Sequence, residues 1–156
     1  MAANNNHIKI IANNKKASFN YFLDEFFECG LVLRGTEIKS LRAHNPAISD
    51  SYAIIRNNEA YIINMNIPVY DKGNIFNHDP LRQRKLLLHK EEIIKLSKKI
   101  DQQGYTLVPT KLYFKDGLAK VEIALARGKK LHDKRDTIKE HDIKREIQKN
   151  MKGKTY

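Results

Sequence analysis

The chain has 156 residues with 29 Lys and Arg against 18 Asp and Glu, so its net charge of +11 favours a polyanionic partner. It contains no run of about 18 apolar residues, no signal-peptide core and no lipidation motif, so we expect a cytoplasmic protein without a membrane partner. Because Cys29 is the only cysteine, an internal disulfide and a CxxC zinc site are excluded, and we expect neither a metal nor a cofactor.

The first third of the chain predicts an arm, strands and a short helix. Residues 1–13 are rich in Asn and Ala and lack the periodicity of a packed element, which predicts a flexible arm. Aromatic and branched side chains over residues 18–33 predict two strands, or one strand with a bend. Gly35 ends this run, and Thr36 is placed to cap a short helix.

The middle of the chain predicts a hairpin, a loop and a helix. Residues 51–64 form the hairpin, because the Asn57-Asn58 pair tolerates the positive φ of a tight two-residue turn. Residues 71–80 hold too many turn formers for a regular element and predict a surface loop. Residues 90–103 combine early glutamates with an apolar stripe and predict the clearest helix of the chain.

A second hairpin is predicted near the end of the domain. Residues 105–114 and 118–126 flank an Asp116-Gly117 turn, and the second segment alternates apolar and polar side chains at the strand period of two. Pro109 removes an amide donor from the first segment, which predicts a sheet edge or a bulge at that point.

These elements predict one folded domain and a separate tail. At least five strands and two helices in this order indicate an α+β fold, most economically a closed or nearly closed antiparallel barrel. We place this domain at residues 14–126. Residues 127–156 carry 11 basic and 5 acidic side chains, a net charge of +6, so about half of the excess charge lies in the last fifth of the chain. This segment predicts a flexible basic tail.

Several short runs, in a fixed order between residues 14 and 151, together carry a family resemblance. They are Asn14-Lys15-Lys16-Ala17, Glu28-Cys29-Gly30-Leu31, Gly35-Thr36-Glu37-Ile38-Lys39-Ser40-Leu41-Arg42, Ile48-Ser49-Asp50-Ser51-Tyr52, Asp79-Pro80 with Arg84-Lys85-Leu86-Leu87-Leu88, Gln103-Gly104-Tyr105-Thr106, and Gly128-Lys129-Lys130 with His132-Asp133-Lys134-Arg135. Any one run is weak, whereas the order and spacing of the set are highly specific. With these runs the chain resembles the SmpB family, the tmRNA partners that act in the rescue of stalled ribosomes.

The resemblance implies an OB-like antiparallel β-barrel with short peripheral helices, which binds the tRNA-like domain of tmRNA and completes its tRNA shape. It implies delivery to stalled ribosomes in a complex with EF-Tu, in the process of trans-translation. The basic tail would reach the small-subunit decoding region and the empty mRNA channel, so that an absent mRNA is what is recognised. We therefore predict an RNA-binding protein that is not an enzyme and has no catalytic residue.

Cationic side chains within these runs are candidates for phosphate contacts, with a solvated face as the alternative for each: Lys15, Lys16, Arg42, Arg84 and Lys85. The resemblance adds Asn14 and His89 to the RNA-binding set. It also implies that Glu28 accepts from a base or a ribose hydroxyl, the alternative being a strand carboxylate paired with a lysine. Leu87 is expected in the core from its apolar character, whereas the resemblance places its segment against RNA.

The ribosome-binding set implied for the tail is Arg127, Lys129, Lys130, His132, Asp133, Lys134, Arg135, Ile143, Ile147 and Met151. The last three recur at intervals of four, which would stack them on one helical face. Because only three apolar residues make this stripe, we expect disorder or an exposed helix in the free protein, and a helix in a channel walled by ribosomal RNA. His132 is placed to stack its ring on an exposed base.

Two other classes of protein remain open on the sequence alone. A basic nuclease would use His132 or one of the pairs His78-Asp79 and His132-Asp133, but sequence neighbours on one element point in different directions. The chain also lacks a Walker loop, GxSxG, HExxH and GxGxxG. A structural ribosomal protein would share the charge and the small size, but it would not require a tRNA-like ligand.

Overall fold

A computed structural model describes residues 7–71 and 77–129 of the chain. These residues form seven strands and three helices. The strands are β1 (Ile8–Asn13), β2 (Tyr21–Leu31), β3 (Tyr52–Arg56), β4 (Glu59–Ile63), β5 (Arg84–Leu87), β6 (Thr106–Lys115) and β7 (Leu118–Gly128). The helices are α1 (Lys15–Asn20), α2 (Gly35–Ala43) and α3 (Lys90–Gln103).

Six of the strands close into an antiparallel barrel in the order β6-β3-β4-β5-β2-β7, because β7 also pairs with β6. One edge of β6 is divided between two partners. Its Leu107 pairs with Ala53 of β3, and its stretch from Lys111 to Lys115 pairs with β1. The predicted OB-like α+β class with short peripheral helices is confirmed, and closure leaves few strand edges exposed.

The barrel core is filled by the inward side chains of the strands, and β7 is buried on both faces. Its Val121, Ile123 and Leu125 have no exposed surface. Ala124, between them, is also fully buried, because it packs with Ala17 of α1 in a small second cluster. This cluster, which also includes Val108 of β6, fixes the place of the helix that carries two predicted RNA-contacting lysines.

Both predicted hairpins and the longest predicted helix are confirmed. Asn57 and Asn58 have φ angles of 52° and 61°, and Asp116 and Gly117 have φ angles of 51° and 80°. These are the left-handed values that a two-residue hairpin turn requires. A register shift follows Pro109, which is the predicted irregularity at that residue. α3 has the predicted bounds.

The predicted flexible arm is wrong for Ile8–Asn13, which form β1. The cause is tertiary, because β6 offers an edge whose backbone groups pair with these residues, and Ile11 packs against the core. Residues 1–6 of the predicted arm lie outside the described residues.

Four further boundaries differ from the sequence predictions. α1 occupies Lys15–Asn20, where the sequence predicts a strand from Ser18 onward. α2 begins two residues earlier than predicted, at Gly35, and its N-cap is Arg34 rather than Thr36. The four-residue β5 is too short to show a periodicity and is not predicted. β7 continues past the predicted end of the barrel to Gly128, because its last residues pair with the start of β2.

Of the predicted surface loop at 71–80, residues 72–76 lie outside the described residues and the others form no helix or strand. Residues 130–156 are also outside them, so the predicted tail stripe of Ile143, Ile147 and Met151 is not described. Within residues 7–71 and 77–129, no helix is long and apolar enough to cross a membrane.

Candidate nucleic-acid interface

The outer face of β2 presents a ring, a carboxylate and a glycine in alternation. Phe26, Glu28 and Gly30 take the outward positions, whereas Phe27 and Cys29 are buried in the barrel. Burial raises the pKa of Cys29 to about 12, so this thiol stays protonated. Phe26 is 53 % exposed beside Glu28, so its ring is available for stacking.

A groove near the end of β2, here called the Glu28 groove, is lined by Glu28, Gly30, Leu87, Leu88, His89, Glu92 and Lys120. It brings together three predicted RNA contacts from separate elements. β2 supplies Glu28, the last residue of β5 is Leu87, and His89 is the residue before α3. The His89 amide donates to the Glu92 carboxylate at 3.1 Å, which fixes the start of the helix beside the groove.

Leu87 lies on the surface of the groove and is 54 % exposed, so the expectation that it joins the core is wrong. Gly30 is paired opposite Leu87 in the sheet. A Cβ atom on Gly30 would lie 3.2 Å from both Cβ and Cδ1 of Leu87. The glycine therefore leaves the room that Leu87 occupies, and the leucine presents apolar surface for the face of a base or a ribose.

We expect Gly30→Ala to displace the Leu87 side chain without unfolding the barrel, because an exposed leucine can move by the few tenths of an ångström required. The close contact with Leu87 opposes the gain of about 0.4–1 kcal/mol that alanine brings by restricting the unfolded chain, so the free energy of unfolding should change by no more than about 1 kcal/mol. RNA affinity should fall roughly fivefold, equivalent to about 1 kcal/mol.

Urea denaturation and titration of a fluorescent RNA measure the two effects of Gly30→Ala separately. Gly35→Ala is the matched control, because a Cβ atom at Gly35 would meet nothing within 4 Å. Unchanged RNA affinity in Gly30→Ala would contradict a role for the Leu87 position.

Two donors on β6 hold the Glu28 carboxylate. The Tyr113 hydroxyl donates to Oε2 at 2.5 Å, and Lys115 Nζ lies 3.4 Å from both oxygens. The hydrogen bond from Tyr113 lowers the pKa of Glu28 most. Burial opposes this effect, and the contact with Lys115 lowers the pKa further, so the carboxylate is ionised at neutral pH. The lysine pairing is therefore present, but an ionised carboxylate has about four lone-pair sites and retains acceptor capacity toward the groove.

A second groove continues along this face toward α1, and its lining includes Asn14, Lys15, Phe26, Thr110, Lys111 and Glu122. Lys15 thereby shares a surface with Glu28, because Glu122 of β7 is the strand partner of Glu28. Lys16 lies in a different groove, which also contains Tyr52. The two neighbouring lysines therefore present their charges to different parts of the surface.

Asn14 anchors α1 to β6 and is almost buried at the edge of the second groove. The residue is 8 % exposed, and its Nδ2 donates to the Pro109 carbonyl at 2.8 Å. Its backbone amide donates to the Thr110 carbonyl, also at 2.8 Å. Asn14 thus positions the helix that carries the exposed Lys15 and Lys16, and because it also lines the second groove, its RNA contact stays a prediction.

Lys85 and Arg42, two predicted phosphate contacts, lie on different parts of the surface. Lys85 takes the same face of β5 as Leu87, and its Nζ is 3.2 Å from Glu59 Oε1. The Arg42 guanidinium lies 5.6 Å from the centroid of the Phe114 ring, near the end of α2. Lys85 therefore lies on the strand face of Leu87 with its charge paired to Glu59, whereas Arg42 belongs to another part of the surface.

The predicted phosphate contact at Arg84 is wrong, because this side chain is fully buried. Its Nε donates to Glu37, which is also fully buried. Its Nη1 donates to the Met65 carbonyl at 2.6 Å, and its Nη2 donates to the Pro80 carbonyl at 3.1 Å. Arg82 donates to the other Glu37 oxygen at 2.5 Å. Arg84 thus joins α2, β5 and the segment before β5 from inside the protein.

The end of β7 fixes the point from which the tail departs. Arg127 and Lys129, two predicted ribosome contacts, lie 5.7 Å and 5.1 Å from the centroid of the exposed Phe22 ring. The Lys129 amide donates to the Asn20 carbonyl at 2.9 Å. The remaining predicted ribosome contacts lie outside the described residues: Lys130, His132, Asp133, Lys134, Arg135, Ile143, Ile147 and Met151.

The His78-Asp79 pair does not form a dyad. His78 is buried, with Nδ1 2.9 Å from the Thr36 hydroxyl and Nε2 2.9 Å from the Ile67 carbonyl. The Asp79 carboxylate instead accepts from the Leu81 amide at 3.0 Å. In the part of the chain that is described, no group of three or more His, Cys, Asp or Glu side chains could hold a metal ion.

Two residues of this face, Phe26 and Tyr113, are not singled out by the sequence analysis. The alternation along β2 places Phe26 on the face of Glu28, so a period of two carries that signal. No local signal relates Tyr113 to Glu28, which is 85 residues away in the chain. That contact follows only from the pairing of both strands with β7.

The fold and this charged, aromatic face define an OB-like barrel protein of the RNA-binding class. The family model described as "SmpB protein" matches residues 11–153. The chain belongs to the SmpB family, and the resemblance drawn from the sequence is confirmed.

Curated relatives match the chain over most of its length. The SsrA-binding protein of Thermoanaerobacter pseudethanolicus is 57 % identical over 147 residues, which is 94 % of each chain. That of Geotalea uraniireducens is 57 % identical over 139 residues, 89 % of this chain and 92 % of the relative. A similar chain in a solved structure described as "tmRNA-SmpB: a journey to the center of the bacterial ribosome" is 46 % identical with a TM-score of 0.65, covering 79 % of this chain and 87 % of that one.

Proposed function

We propose that this chain binds the tRNA-like domain of tmRNA and delivers it to stalled ribosomes for rescue by trans-translation. The observation that carries the proposal is the convergence of Glu28, Leu87 and His89 in one exposed groove. Core packing does not require a carboxylate, an apolar side chain and an imidazole to share a surface, whereas recognition of an unstacked nucleotide uses all three. The names of the SsrA-binding relatives support the same ligand.

The chemistry of the face supports a division of contacts. Lys15 in the second groove and Lys85 on the outer face of β5 supply positive charges for phosphates. The rings of Phe26 and His89 suit stacking on bases, which contributes roughly 1–3 kcal/mol per base in other single-strand binding proteins. Glu28 accepts hydrogen bonds and so reads a base edge or a ribose hydroxyl.

The tail and the delivery step complete the proposal. Arg127 and Lys129 lead from the barrel into residues 130–156, which we propose to enter the empty mRNA channel near the decoding region of the small subunit. EF-Tu accompanies the complex during delivery, and no chemical step is assigned to this chain. Delivery and rescue take place in the cytoplasm, where ribosomes stall. Support for a ribosomal setting comes from the similar chain in the tmRNA-SmpB structure.

We expect Glu28→Ala and Leu87→Ala each to weaken binding of the tRNA-like domain roughly tenfold, equivalent to about 1.4 kcal/mol. Fluorescence anisotropy at physiological salt measures the dissociation constants. Asp101→Ala is the matched control for Glu28→Ala, because it removes an exposed carboxylate from the far end of α3. Equal affinities for the variants and the unmodified chain would show that the Glu28 groove is not part of the RNA-binding surface.

A further inference from the structure

We propose that the free edge of β1 docks an extended segment of a partner protein, which adds antiparallel to β1 and alternates acidic with apolar side chains. The free edge is the side of β1 that faces away from β6, with Ile8, Lys9 and Ile10 along it. β6 lies between this edge and the strands that line the Glu28 groove, which are β2, β5 and β7. The site is thus distinct from that groove, and a protein ligand goes beyond the proposed function.

The backbone of β1 presents donors and acceptors to this edge. Among the described residues, β1 pairs with β6 alone. The Asp116 amide donates to the His7 carbonyl at 3.2 Å, so His7 directs its backbone groups toward β6. Because this direction alternates along an antiparallel strand, Ile8 and the amide of Ile10 point their backbone groups away from β6. A strand edge of this kind is a template for a further strand.

Exposed aliphatic side chains border the edge on the outer face of the sheet. Ile8 and Ile10 are 50 % and 51 % exposed, and Leu118 is 63 % exposed. Ile8 and Leu118 lie in one cross-strand row, because both are paired with Lys115 of β6. Apolar side chains of an added strand would contact the two isoleucines on this face, and the burial of apolar surface favours binding.

The opposite face of the edge is basic. Lys9, between the two isoleucines, points to the other side of the strand, where it lines a groove together with Arg42 and His44 from the end of α2. The Arg42 guanidinium lies over Phe114, which is the strand partner of Lys9, so the two cations are neighbours. In the described part of the chain no carboxylate lines this groove, and Asp71 lies 3.3 Å from His44 Nε2. Every second side chain of an added strand therefore meets positive charge, which an acidic side chain complements.

The charge of the chain distinguishes the partner from other occupants. A second copy would bring another Lys9 and another net charge of +11 to the edge, and like charges across a strand pair are unfavourable. RNA has phosphates for Lys9 and Arg42, but it lacks the regular array of amides and carbonyls that pairs with a strand edge. An extended protein segment with alternating acidic and apolar side chains matches the backbone, the aliphatic row and the basic groove together.

The test uses the full chain and a labelled probe peptide of about six residues, a usual strand length, in which valine and glutamate alternate. Fluorescence anisotropy measures its binding. A peptide that alternates valine and lysine should bind roughly tenfold more weakly or worse, because its charge is reversed. N-methylation of the valine amides should have an effect of similar size, since the residues opposite Ile8 and Ile10 bond to the edge, whereas N-methylation of the glutamate amides, which face away, is the matched control.

Variants of the chain locate the peptide on β1. Lys9→Glu should weaken binding of the valine–glutamate peptide roughly tenfold, whereas Lys98→Glu, at an exposed lysine of α3, should leave it unchanged. Ile8→Pro removes an amide that faces away from β6, a position where a strand tolerates proline. It should weaken binding more than Ile8→Ala, which keeps that amide. Circular dichroism checks that each variant is folded.

NMR hydrogen exchange completes the test, because the amides of Ile8 and Ile10 should exchange more slowly when the valine–glutamate peptide is bound. Equal binding of the glutamate and lysine peptides, or binding that is unchanged in both Lys9→Glu and Ile8→Pro, would overturn the proposal. A single-stranded RNA that displaces the peptide and itself loses affinity in Lys9→Glu would also overturn it, since the edge would then be an RNA-binding surface. None of these variants changes the Glu28 groove, so a negative result leaves the proposed function standing.

Discussion

Arg84→Ala should lower the free energy of unfolding by roughly 3–5 kcal/mol, because it breaks a buried ion pair and leaves Arg82 as the remaining ionic partner of Glu37, and Arg84→Lys, which keeps the charge, should lower it by less. Glu37 would keep its burial and lose a partner, while the carbonyls of Met65 and Pro80 would lose their donor. Lysine retains the charge but cannot reproduce the planar fork that makes all of these bonds. Urea denaturation followed by circular dichroism measures the change.

Arg56→Ala is the matched control for this prediction. Arg56 is exposed, and its guanidinium lies 5.1 Å from the centroid of the Tyr61 ring, so its loss should cost no more than about 1 kcal/mol. The salt dependence of RNA binding gives a second readout. If Arg84→Ala kept full stability and lowered the salt slope by about 0.7–0.9, Arg84 would be a phosphate contact and the buried network would be incorrect.

A chain that ends at Lys129 should bind the tRNA-like domain within about threefold of the full chain, a difference of roughly 0.7 kcal/mol, yet fail to rescue stalled ribosomes. The barrel and the Glu28 groove are complete in this fragment. The cut must follow Lys129 rather than Ala126, because Arg127 pairs with Phe22 and the Lys129 amide donates to Asn20. Anisotropy measures the binding, and a reconstituted translation assay measures the rescue.

A full-length variant with Ile143→Pro and Met151→Asp disrupts the apolar stripe of the tail and keeps all of its basic side chains. It should bind the tRNA-like domain normally and lose rescue activity, because proline interrupts a helix and aspartate removes an apolar contact. Full rescue activity in this variant would contradict the predicted helix in the tail. Loss of tmRNA binding in the chain that ends at Lys129 would show that the division of labour between barrel and tail is wrong.

The elements that the sequence predicts well are those with local signals. The turns at Asn57-Asn58 and Asp116-Gly117 need a left-handed backbone, and these residue types adopt it more readily than others. α3 carries its apolar stripe, its acidic first turn and its C-terminal glycine within fifteen residues. Such signals do not depend on the rest of the chain.

The elements that escape prediction depend on distant partners. β1 has no periodicity of its own and forms because β6, about a hundred residues later, offers an edge. Arg84 and Lys85 are adjacent basic residues, and only the placement of β5 in the barrel decides that Arg84 lies inside. The bond from Tyr113 to Glu28 and the fit of Leu87 against Gly30 arise in the same way. The family resemblance indicates the members of the groove, but not the contacts that position them.

The central claim is that the barrel prefers the tRNA-like domain of tmRNA over other RNA. Competition binding at physiological salt, with the tRNA-like domain, an ordinary tRNA and a random RNA of equal length, tests it most directly. We predict that the tRNA-like domain competes at least tenfold better than the random RNA and better than the tRNA, a difference of about 1.4 kcal/mol or more. Equal competition by all three RNAs would contradict the claim and leave a generic basic RNA-binding module.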